Sequence, residues 1–204
     1  MRLTLAALLV LGLAACEPAA ESPAAPETPA EPTRPAEPTT PEPVVAPLTA
    51  EGWGPLRVGM TLAEVEAAMG PDSNPNDVGG PDPESCDQFR PERAPEGLLV
   101  MMVDGRLNRI SISEPSTLVT DRGLGVGATA AQVKSTYGDA LYAEPHHYIG
   151  LPAEYLTAWV GGVPSDPYVQ DPAARGVRYE TNAEGVVEQI HVGGTAIQYV
   201  EGCA

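Results

Sequence analysis

The side chains of this 204-residue chain with most capacity for chemistry are three histidines and one acid-rich turn. His146 and His147 are adjacent, so on a strand they would point to opposite faces and could not easily share a metal. His191 with one of the pair and a carboxylate would make a zinc set, but the favoured reading is surface or half-buried polar residues, with no metal. Asp72, Asn74 and Asn76 have the spacing that opens a calcium loop, and Asp77, Asp82, Glu84 and Asp87 add oxygens. The pattern then breaks: Asp77 stands where the sharp turn needs glycine, and Pro83 where a bidentate glutamate belongs. A polar turn, punctuated by Pro71, Pro75, Gly79 and Gly80, accounts for the same residues. No nucleophile elbow, His-Glu-x-x-His, phosphate-cradling glycine loop or Cys-x-x-Cys occurs. The expectation is therefore no catalytic residue and no cofactor.

Aromatics offer a different chemistry, that of contact. Trp53, Tyr148, Trp159 and Tyr168 are the candidates for partner binding. Tyr148 and Tyr168 lie in stretches rich in Pro, Gly and Asp, where exposure is expected. Core packing competes for each aromatic, because Phe89 is the chain's one phenylalanine.

The N-terminal end reads as an export signal. Arg2 supplies positive charge, and Leu3 to Leu13 is an apolar run of 11 residues, against the roughly 20 that span a bilayer. Leu13-Ala14-Ala15-Cys16 resembles the bacterial lipobox, the recognition site of signal peptidase II. That resemblance implies removal of residues 1–15, a lipid on Cys16, and membrane attachment in the bacterial envelope, at the outer membrane if the host has two. With Cys16 lipidated, Cys86 and Cys203 form an even pair in an oxidising compartment, which reads as a structural disulfide.

Residues 17–50 hold ten prolines in 34 positions, among small apolar residues and glutamates that cannot build a core. They are expected to be an extended spacer that, at about 3.1 Å per residue, reaches on the order of 100 Å. Residues 51–204 carry 22 acidic and 9 basic side chains, a net charge of −13. Such acidity disfavours nucleic acid and anionic lipid surfaces as partners.

The elements that would position these residues repeat. Gly59-Met60-Thr61-Leu62-Ala63-Glu64-Val65 running to Gly70 matches Gly127-Ala128-Thr129-Ala130-Ala131-Gln132-Val133 running to Gly138, at an offset of 68. Thr61 with Glu64, and Thr129 with Gln132, make capping boxes, with Leu62, Val65 and Met69, then Ala130, Val133 and Tyr137, as the inward faces. Hairpins follow at Leu98–Val103 with Leu107–Ser113 and at Val177–Glu180 with Val186–Val192, and further strands are predicted at Tyr155–Val160 and Ala196–Val200. Residues 164–175 read as an insertion between the second helix and its hairpin. The predicted fold is α+β, two tandem repeats of a helix plus an antiparallel sheet, at residues 51–120 and 121–204.

The Gly-Met-Thr start, short helix, closing glycine and hairpin resemble the outer-membrane assembly lipoproteins of the SmpA/OmlA type and, taken in tandem, the β-lactamase inhibitory protein fold. The resemblance implies a membrane-anchored module that binds another envelope protein as scaffold, assembly factor or inhibitor. Two alternatives stand beside it: a calcium- or polysaccharide-binding module using the 72–87 turn, and a small envelope hydrolase using paired carboxylates.

Overall fold

Alternation of branched apolar and polar residues decides the architecture. In a computed structural model describing residues 46–203, the strands are β1 (Gly52–Trp53), β2 (Leu56–Arg57), β3 (Cys86–Phe89), β4 (Leu98–Val103), β5 (Arg106–Ser113), β6 (Leu141–Pro145), β7 (Glu154–Trp159), β8 (Gly176–Thr181) and β9 (Val187–Gly193). Two short helices, α1 (Leu62–Met69) and α2 (Ala130–Tyr137), accompany them. β1 and β2 form a ribbon; the other seven form one antiparallel sheet in the order β3-β4-β5-β9-β8-β7-β6. Cys16, the export signal and the linker as far as residue 45 lie outside the described residues.

The chain is therefore mostly β, and the expectation of an α+β fold with two helix-plus-sheet repeats is corrected. Its weak point was to treat each hairpin as its own sheet. Separate sheets would leave the outer edges of β5 and β9 with unpaired backbone groups. Instead β5 pairs with β9, setting Ile110 against Val192 and Ile112 against Ile190 and burying all four. Local similarity between the halves covers the helix starts and the strand that each of them meets. Thr61 and Thr129 each cap a helix through a complete capping box. Leu107 N–H donates to Met60 O, and Val187 N–H to Ala128 O.

Three smaller expectations also change. The segment from Ala196 is a 3-10 turn at Thr195–Gln198 and no strand. Leu62, placed on the inward face of α1, is 43% exposed, while Val65 and Met69 are buried. Leu48, inside the stretch read as linker, is fully buried and donates its N–H to Val119 O, so ordered chain begins ahead of residue 51.

Both helices pack on one face of the sheet, where Val65, Met69 and Val133 join Val100, Ile110, Ile112, Leu156, Tyr179, Ile190 and Val192 in the main core. The opposite face is partly roofed by the C-terminal segment. At Gly193, with φ of 139°, an added Cβ would stand 2.1 Å from Asn108 O, a close approach only glycine permits. The chain then folds over β5, tied by Gly194 N–H to Asn108 O (2.7 Å) and Ala196 N–H to Asn108 Oδ1 (2.9 Å). It ends at Cys203, which is paired with Cys86 on the edge strand β3, Cα to Cα 5.4 Å.

That pairing spans 117 residues and closes the roof onto the sheet edge. Cys203→Ser should lower unfolding free energy by about 3 to 5 kcal/mol on the chain-entropy account. Urea titration of the folded domain with and without reductant measures it, and coincident curves would show that the roof needs no staple.

Candidate functional site

The side-chain period of two that sends Ile110 and Ile112 into the core sends Arg109 and Ser111 to the opposite face. The same alternation turns His191 on β9, Arg178 and Glu180 on β8, Tyr155 and Thr157 on β7, and Glu144 on β6 toward that face. Register sets Ser111 beside His191, and His191 beside Arg178. Arg109, Ser111, Arg178, His191 and Thr157 are all buried. A second layer of the molecule is thus built from polar groups, each of which needs a partner.

Glu180 is the centre of that layer. Its Oε1 accepts from His146 Nε2 at 2.9 Å, and its Oε2 faces His191 Nε2 at 3.6 Å. The other ring nitrogen of His191, Nδ1, bonds Ser111 Oγ at 2.8 Å. Burial alone would raise the Glu180 pKa, but the proximity and charge of His191 and the hydrogen bond and charge of His146 outweigh it and hold the carboxyl at about 2. Burial, seconded by the Arg109 charge, pulls the His191 imidazole from 6.5 down to about 4, so it is neutral at pH 7.

The two arginines are held differently, and Arg109 Nε is buried without a hydrogen-bond partner. Arg178 Nη2 pairs with Glu144 Oε1 at 3.2 Å, and its guanidinium lies 3.9 Å from the Tyr155 ring centroid, an arrangement worth about 2 kcal/mol when desolvated. Arg109 reaches into the C-terminal roof, donating to Ala196 O (3.2 Å), Tyr199 O (3.0 Å) and Gln88 Oε1 (3.0 Å). Burial lowers its pKa to about 10, which leaves it charged at neutral pH.

Ser111, His191 and Glu180 reproduce the bonding order of a nucleophile, base and carboxylate. Ser111, however, sits mid-strand and 5% exposed, where its bond to His191 ties β5 to β9.

The open part of the polar face is a cleft of about 260 Å³ lined by Glu144, His147, Tyr155, Tyr168, Arg178 and Val200, among others. Its rim comes from three segments. The turn after β6 carries Tyr148, 61% exposed, whose hydroxyl bonds the Glu201 carboxylate. The loop between β7 and β8 carries Tyr168, 51% exposed, pinned where Gln198 bonds both the N–H and the C=O of Val169. The C-terminal segment supplies Val200 and Glu201.

Of the aromatics singled out from the sequence, the structure places Tyr148 and Tyr168 at this rim. It does not bring Trp53 or Trp159 there: Trp53 packs against the main core, and Trp159 is 8% exposed beside Gly176. His146 and His191 meet on one carboxylate, while His147 is exposed and stacks edge-on against Tyr148. In the 72–87 turn Asp72 accepts from Asn74 N–H, Asp77 pairs with Arg90, and Asp82 accepts from Ser85. Among the described residues no group of three or more His, Cys, Asp or Glu side chains is arranged to hold a metal ion.

Sequence reasoning missed Glu180 and Arg178. The signal was present in the Arg109-x-Ser111 and Arg178-x-Glu180 spacings, polar residues alternating with core residues in strands that must be buried on both sides. Comparisons with protein-family models, with curated proteins and with solved structures return no match to this chain.

His191 gives the site a pH signature. The unfolded chain takes up a proton near 6.5 and the folded chain only near 4. The contribution is therefore complete above about pH 6.5 and lost as pH falls to about 4, amounting to about 3 kcal/mol. Unfolding free energy of the natural chain should drop across that window by about this much more than that of His191→Gln; parallel pH profiles would contradict it.

Proposed function

We propose that this protein is a lipid-anchored component of the bacterial envelope whose folded domain binds another envelope protein through the aromatic rim of the polar sheet face. The observation that carries the reading is the cluster of large side chains left in water there. Tyr148, Ile149 and Leu151 on one turn, Tyr168 on a second loop and Val200 beside it are all at least 40% exposed. Around a concave cleft, such residues fit the pattern of a contact centre that a partner desolvates. Tyr148 and Tyr168 lose little conformational freedom on binding, and each carries a hydroxyl for the wet edge of an interface.

Charge narrows the kind of partner. Glu144 lines the cleft, Glu201 and Asp166 flank the two tyrosines, and the chain as a whole carries a net charge of −17. Such a rim favours a partner surface that is apolar with basic groups at its border. The N-terminal sequence supports the location: the lipobox-like end at Cys16 would fix the chain to a membrane, and the proline-rich spacer would hold the domain at raised effective concentration near partners on the same envelope.

The test places a photoreactive phenylalanine analogue at Tyr168, and separately at Leu62 on the exposed side of α1, in the full chain expressed in its own envelope. Irradiation should give one discrete protein adduct from position 168 and none from position 62. Tyr148→Ala should weaken the adduct at least tenfold, the scale of a hot-spot residue, without lowering thermal stability. Equal labelling from both positions would refute the surface.

A further inference from the structure

The turn that presents Tyr148, Ile149 and Leu151 hangs on one imidazole. His146 Nδ1 accepts the backbone N–H of Tyr148 at 3.2 Å and that of Ile149 at 3.3 Å. An atom facing two donors must offer its lone pair, so the ring proton is on Nε2, from which it is donated to Glu180 Oε1 at 2.9 Å. The backbone on either side is tied as well, by His146 N–H to Ala153 O and Gly150 N–H to His146 O, both short. The ring stacks on Tyr155, centroid to centroid 4.6 Å. These backbone bonds at the tip of the turn all run through His146, and the two made by its side chain require a neutral ring; the Tyr148 hydroxyl is tied separately, to Glu201.

We propose that His146 is an acid-released latch: adding a proton to its ring frees the turn that carries Tyr148 and Ile149 while the sheet beneath stays folded. This deepens the reading above by naming how that rim is regulated, and it rests on that reading only for its biological use. The second proton can enter only at Nδ1, since Nε2 already carries one. Nδ1 then becomes a donor confronting two donors, and both backbone N–H groups lose their acceptor. The Nε2 bond to Glu180 becomes charge-assisted and stronger. The ring thus stays on the sheet and the turn lets go, its N–H groups turning to water at positions already exposed.

Charged and titratable groups surround the ring. Glu180 of β8 accepts a hydrogen bond from its Nε2–H, and Arg178 of the same strand lies over Tyr155, on which the ring stacks. Glu144 of β6 offsets Arg178, with which it pairs. Tyr155 of β7 stacks on the ring, and His191 of β9 shares the Glu180 carboxylate, with Arg109 of β5 beyond it. Tyr148 faces it from its own turn, with His147 edge-on to that tyrosine. Glu180, held at about 2, stays ionised throughout mild acid, so the anchor that keeps the ring in place persists there.

The experiment uses the folded full chain with no partner present. Ring nitrogen-15 shifts report the tautomer and charge of His146, and amide hydrogen exchange reports the turn, both as pH is lowered. The expected result is an Nε2–H tautomer at neutral pH, then a roughly tenfold loss of protection at the Tyr148 and Ile149 amides in step with ring protonation, while the Ile110 and Ile190 amides lose only the protection that the His191-linked fall in global stability removes from every core amide. In His146→Gln those two amides should show the same protection at every pH. An Nδ1–H tautomer, protection that survives ring charging, or strand amides failing together with the turn would each overturn the latch. Because no partner enters, failure here is separate from failure of the binding surface, which the crosslinking experiment decides.

Discussion

A single carboxylate, Glu180, answers a problem set by the whole sheet. Seven strands with helices on one face could leave the other face to water, yet here Arg109, Ser111, Arg178 and His191 are buried on it. Polar groups removed from water must find partners, at a penalty of a few kcal/mol for each that does not. Glu180 receives His146 from a turn and faces His191 from the next strand, while Ser111 closes the chain on β5. Four segments of chain are thereby fixed to one another on the face opposite the hydrophobic core.

The apolar and polar faces divide the work between them. Branched residues pairing across β5 and β9 join the halves into one sheet, and α1 and α2 seal that side. On the other side the roof from Gly194 to Cys203 covers Arg109, and the turn after β6 covers Glu180. Where roof, turn and the β7–β8 loop meet they leave a cleft with large side chains in water. The rim is thus a by-product of how the polar layer is covered. Its position depends on the hydrogen bonds of His146 and Gln198, while the core beneath it is apolar.

Much of the local structure was legible in the sequence. Thr61 with Glu64 and Thr129 with Gln132 mark both helix starts because a capping box is a purely local device. Asp104-Gly105 marks a hairpin because φ is positive at both residues, 49° and 69°. The fold class was not legible, since no residue of β5 announces that its free edge will meet β9; that choice is made by Ile110 and Ile112 finding Val192 and Ile190, nearly 80 positions away. The site was legible by halves. Tyr148 and Tyr168 stand out through their turn-forming neighbours, but Trp53 and Trp159 carry no local mark of their burial. The short strand at Leu141–Pro145 has too little apolar character to be seen, and with it went the turn that sets His146 on Glu180.

The claim that one ionised carboxylate organises the polar face is tested most directly by urea unfolding of Glu180→Gln. The amide keeps one acceptor oxygen where the carboxylate offers two, and it leaves Arg178 and Arg109 with less compensating charge. The account predicts a loss of about 3 kcal/mol in unfolding free energy at neutral pH. A change within about 0.5 kcal/mol, the range of an ordinary surface substitution, would contradict it.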